Sequence, residues 1–82
     1  MEPIFPIVNM NGDTKETLVK QFGENLIQLN RAIETLSSNM PNGRNYRREE
    51  YKQARGQYQE HIDALIDARD YMHDVLDHLN DF

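Results

Sequence analysis

Pro41-Asn42-Gly43 is the one strong break between two long stretches of helical periodicity, and it restricts this chain to two helices folded back on each other. Before the break, Val19, Phe22, Leu26, Leu29, Ile33, Leu36 and Met40 alternate three and four apart, flanked by Leu18 and Ala32. After it, Tyr51, Tyr58, Ile62, Leu65, Met72, Leu76 and Leu79 do the same, with Ala54, Ala68 and Val75 on one shoulder. Spacing of this kind is a heptad seam. It predicts an all-α antiparallel helical hairpin in one domain: an extended N-terminal arm over 1–12, a first helix over 13–39, an elbow over 40–45 and a second helix over 46–80. At ~1.5 Å per residue the helices are about 39 and 50 Å long, so the second overhangs the first.

Local chemistry sets the ends. Asp13 or Thr14 begins the first helix, with Asp13 and Glu16 spaced as a capping pair. At the elbow, Asn42 and Gly43 tolerate positive φ and Asn45 reads as the cap of the second helix. Gly23 lies inside the first seam, where glycine costs roughly 1 kcal/mol relative to alanine. Either another backbone or a ligand approaches closely there, or the position is tolerated slack.

The arm is apolar but not helical. Pro3 and Pro6 favour extended neighbours, and Asn11-Gly12 marks a turn, while Ile4, Phe5, Ile7, Val8 and Met10 are hydrophobic. A two-helix hairpin gives such an arm little to pack against, so it is expected to dock on a partner subunit. An 82-residue chain also has a thin core, and with no cysteine it has no disulfide or thiolate metal site to staple it. Oligomerisation is the remaining staple.

Several function classes are disfavoured. A net charge of −5 argues against binding a DNA or RNA polymer, which needs a basic face. No apolar run approaches the ~18 residues of a membrane span, and MEPIFPIV lacks the basic region of a signal peptide, so a cytoplasmic protein without membrane contact is expected. Glu60, Asp63, Asp67, Asp70, Asp74, Asp77 and Asp81 form a stripe opposite the apolar seam. A solvated stripe does not separate carboxylate pKa values as acid–base catalysis requires. Asp70, His73, Asp74, Asp77 and His78 include pairs three and four apart, yet none has the His-Glu-x-x-His form and no second cluster completes a metal site. There is no glycine-rich phosphate loop and no nucleophile with its base, so neither an enzyme nor a cofactor is expected.

Arg55 and Arg69 break the second seam, where apolar side chains belong. A charge there needs a partner. Arg69 can pair with Glu16 or Glu24 of the first helix and fix register, or it can face a ligand. Folding at the elbow is expected to bring Arg69 level with Lys20 and the arm, near Phe5 and Phe22. Arg55 falls near Arg44, Arg47, Arg48 and Lys52, with Tyr46 and Tyr51. A cation for phosphate beside an aromatic face for a base is what a nucleotide pocket needs.

The arm ending in Ile7-Val8-Asn9-Met10-Asn11-Gly12, the capped first helix, the elbow Pro41-Asn42-Gly43-Arg44-Asn45-Tyr46 and Tyr51-x-x-Ala54-Arg55 together resemble the phage anti-CBASS cyclic-nucleotide sponges. The hairpin is also similar to the helical part of the anti-Thoeris sponges. The resemblance implies a homo-oligomer, a homo-hexamer, that sequesters cyclic oligonucleotide second messengers in the host cytoplasm during infection without cleaving them. In the family, cyclic dinucleotides lie between protomers, held by an arm aromatic and a first-helix lysine, roles that Phe5 and Lys20 match here. Phe5 stands where tyrosine is common, keeping the stacking face and losing a hydroxyl. A separate pocket for cyclic trinucleotides uses arginine in the family, and Arg55 and Arg44 are its candidates. Asn11, Tyr46 and Arg69 complete the candidate ligand-binding set. The alternative is a small helical phage adaptor whose seam and arm bind a protein partner and which has no affinity for nucleotides.

Overall fold

The computed structural model describes residues 3–8, 12 and 14–81. Two helices, α1 (Lys15–Ser38) and α2 (Arg48–Asn80), pack against each other antiparallel, and no strand occurs among the described residues. The molecule is a rod of 59 × 23 × 19 Å, with a Cα radius of gyration of 17.6 Å against about 12 Å for a compact chain of this length.

Thr14 caps α1: its Oγ1 accepts from the Thr17 amide at 3.2 Å, satisfying one of the first-turn donors. Asp13 lies outside the described residues. At the other end, Ser38 and Asn39 donate back to the carbonyls of Glu34 and Thr35 and close the helix before Pro41. The elbow differs from expectation in two ways. Gly43–Asn45 form a short 3₁₀ turn capped by Asn42, whose Oδ1 accepts from the Arg44 amide at 3.0 Å, so Asn45 ends that turn and does not cap α2. Arg47 occupies the cap of α2 without a side-chain hydrogen bond, and Glu49 and Glu50 favour the helix N-terminus instead. The turn also uses no positive φ among the described residues. The Tyr51 ring lies beside Gly43, where a Cβ would make ordinary van der Waals contact with it at 3.7 Å.

Register follows from one contact across the hairpin. Asn25 Nδ2 donates to Met72 Sδ at 3.9 Å, which puts the start of α1 level with the end of α2. The first turns of α2 extend past α1, and the elbow covers them: Tyr51 Oη donates to the Pro41 carbonyl at 3.2 Å.

Burial is uneven. Every seam residue of α1 is only half-buried, because one facing helix covers one stripe. On α2, Ile62 is buried, and Val75 and Leu79 have no exposed surface. The two fully buried residues lie where a third layer is present. Pro3 and Ile4 border Ala68 and Tyr71, and Phe5 stacks on His78, so the arm runs along the Ala68–Val75 shoulder of its own α2. That shoulder is the packing surface the arm was expected to find on a neighbour. Two helices and an arm together enclose what two helices alone leave open.

Candidate functional site

The two ends of the rod differ in charge. Residues 44–55 carry five basic and two acidic side chains, whereas residues 56–82 carry seven acidic and one basic. The arm and the start of α1 lie at the acidic end, the elbow at the basic end.

At the acidic end, the Phe5 and His78 rings lie 4.5 Å apart and only 8° from parallel. The arm's extended backbone delivers Phe5 to the side of α2 where His78 follows Val75 by three residues, nearly one turn. His78 was not among the sequence candidates. Its position beside the shoulder was the available signal, but the periodicity gave the arm no path across it. Between the arm and α2 runs an open groove of about 630 Å³, floored by Pro3, Ile4, Ala68 and Tyr71 and walled by Asp67, Asp70 and Asp74. Lys20 is exposed on α1. By the Asn25–Met72 register it lies at the same level as Phe5 and His78, but on a different helix, and no hydrogen bond or ring contact joins Lys20 to Phe5 in the single chain.

Arg69 does not meet Lys20. It lies on the elbow side of Met72 while Lys20 lies on the other side of Asn25, an axial separation of about 12 Å at ~1.5 Å per residue. Nor does it pair with Glu16 or Glu24. Its Nε approaches Asp70 Oδ1 at 3.7 Å with 32% of its side chain exposed, so the charge leaves the seam along its aliphatic stem and reaches water. A half-exposed contact of that length contributes little to stability.

At the basic end, Arg55 is exposed because α1 has ended before its level, and its Nη1 donates to Tyr51 Oη at 3.5 Å. Tyr51 in turn holds Pro41, so Arg55 stands beside the brace of the elbow. Tyr46 is 42% exposed and tilted against Tyr51, with ring centroids 6.5 Å apart. It borders a smaller groove of about 270 Å³ with Glu50, Gln53, Ala54 and Gln57. Arg44 is exposed on the 3₁₀ turn. Arg44, Tyr46 and Arg55 therefore share one end, whereas Phe5 and Lys20 share the other with Arg69 between. Asn11 lies outside the described residues.

Among the described residues no group of three His, Asp or Glu side chains converges as a metal site, and no helix is long and apolar enough to cross a membrane. No buried side-chain nitrogen or oxygen lacks a hydrogen-bond partner among them either. Fold and surface together define an all-helical hairpin braced by its own N-terminal arm, with an aromatic stack at one end and a basic elbow at the other. No family model matches the chain, and no curated protein or solved structure matches it.

Proposed function

We propose that the protein is a non-catalytic sponge that binds and sequesters cyclic dinucleotide second messengers, and cyclic trinucleotides at a second pocket, blocking host CBASS signalling from the cytoplasm as a homo-oligomer. The observation that carries this reading is the flat Phe5–His78 pair at 4.5 Å with exposed Lys20 at the same level. A planar aromatic platform accepts a base on its face, and an ammonium supplies the phosphate partner. Because Phe5 sits on the arm beside α2 and Lys20 on α1, with no contact between them, a dinucleotide spanning both would take Phe5 from one chain and Lys20 from another. Arg44, Tyr46 and Arg55 at the elbow offer the same pairing of cation and ring for the second ligand.

Isothermal titration of the purified protein with a panel of cyclic di- and trinucleotides tests the reading, and no heat with any of them would sink it. Phe5→Ala is expected to weaken cyclic dinucleotide binding by roughly 5- to 150-fold, the loss of one stacked base at ~1–3 kcal/mol. Lys20→Ala is expected to weaken it by about tenfold or more, a charged hydrogen bond of ~1.5–3 kcal/mol. Both variants should sediment as the parent does.

A second reading, a helical adaptor for a protein partner, is favoured by Ile4 and Ile7, which are 88% and 79% exposed on the arm. It expects no heat with any cyclic nucleotide, and unchanged partner binding in Lys20→Ala.

A further inference from the structure

One flank of α2 carries a charge pattern complementary to itself. At ~100° per residue, Arg48, Lys52, Arg55, Gly56, Gln59, Asp63, Asp67, Asp70 and Asp74 follow one side of the helix, and all nine are exposed. Apart from Glu49, which lies at the same angle as Asp67, the stripe is basic up to Arg55, uncharged at Gly56 and Gln59, and acidic from Asp63 onward. Arg48 and Lys52 have no ion-pair partner among the described residues. Of the acids, Asp70 meets Arg69 at 3.7 Å and Asp63 accepts from Gln59 at 3.0 Å. The like charges within each block repel and leave both blocks to seek a partner of opposite sign.

We infer that α2 pairs with α2 of a second copy along this stripe, antiparallel about a two-fold axis near Gln59. In that arrangement Arg48 of one chain stands level with Asp70 of the other, Lys52 with Asp67 and Arg55 with Asp63. Every pairing occurs twice, as an isologous contact requires. Gly56 has nothing within 4 Å of a Cβ built on it, so the helices can approach closely beside the axis. The acidic end of the stripe walls the groove beside the arm, so the basic elbow of the second copy meets the side of that groove formed by Asp67, Asp70 and Asp74.

Surface area supports a second copy as the occupant. The chain exposes 6668 Å², against roughly 5,100 Å² for a folded monomer of this mass. The excess is larger than the ~800 Å² that each partner contributes to an interface of ordinary size. The pairing rests on charge and surface and holds whether or not the chain takes a nucleotide. It is one two-fold contact, which a larger closed assembly of even order can contain.

Sedimentation velocity of the full chain and two charge-reversed variants tests the inference. Arg48→Glu with Lys52→Glu reverses two of the three basic positions of the stripe and leaves Arg55, and Asp67→Lys with Asp70→Lys reverses two of its four acids and leaves Asp63 and Asp74. Each variant alone is expected to self-associate on the order of 30-fold more weakly than the parent, and their equimolar mixture to form a one-to-one complex. Association of either variant as tight as the parent's, or no complex in the mixture of folded variants, overturns the inference. The parent supplies an independent readout that needs no variant to fold: its self-association should weaken steadily as sodium chloride is raised. A monomeric parent at low salt, or association indifferent to salt, overturns it equally.

Discussion

Leu79→Ala should cost this protein most of its stability. Leu79 has no exposed surface, at the end of the rod where α1, α2 and the arm form three layers. Truncation to alanine removes three carbons at ~0.8 kcal/mol each, and incomplete collapse of the site adds a cavity cost, for a total of about 3 kcal/mol. The position is near the last turn of α2, where the backbone can partly close the gap, so a larger loss is not expected. A chain of 82 residues with three buried side chains among the described residues belongs at the low end of the usual stability range, about 4 kcal/mol. The substitution therefore leaves about 1 kcal/mol. Urea unfolding followed by far-ultraviolet circular dichroism reads this directly: at a slope of about 1 kcal/mol per molar, the midpoint falls by about 3 M. Ile27→Ala is the control, because Ile27 is 53% exposed and is expected to change stability by no more than about 0.5 kcal/mol. Running both at several protein concentrations separates folding from association, since association raises the midpoint with concentration. A Leu79→Ala midpoint within about 0.5 M of the parent, or an equal loss in Ile27→Ala, would refute the three-layer account of the core.

Further expectations follow from single contacts. Tyr51→Phe removes the hydroxyl that donates to Pro41 and accepts from Arg55, and should destabilise the hairpin by about 1 kcal/mol in the same urea assay, with the ring still packed on Gly43. No change would mean that the elbow is not braced through this hydroxyl. Gly23→Ala should raise stability by up to about 1 kcal/mol, because its Cβ would meet nothing within 4 Å of the single chain. A loss of stability or of nucleotide binding would instead assign Gly23 to a close approach made between copies.

Much of the hairpin was legible because periodicity and breakers act locally. The seam positions and the break at Pro41 follow from which side chains repeat every three or four residues and from a ring that cannot continue a helix. The cap of α2 was not legible, since Asn45 has the local preference for a cap but is taken up by the 3₁₀ turn that Asn42 caps, and α2 begins only after Arg47. Arg55 and Arg69 looked alike in the seam, yet one stands beyond the end of α1 and the other slides out along its own stem. Of the candidate site, the sequence supplied Phe5 and Lys20 as residue types but not His78, because stacking depends on where the arm runs.

The sequence by itself determined two amphipathic helices, their order, their connection and the charge sequence along α2, all of which depend on neighbours within one or two turns. Tertiary structure decided which seam residues are buried, where the arm lies and which rings meet. Val75 and Leu79 differ from the half-buried residues around them only in what packs over them. Such burial is a property of the third layer, and no local pattern encodes it.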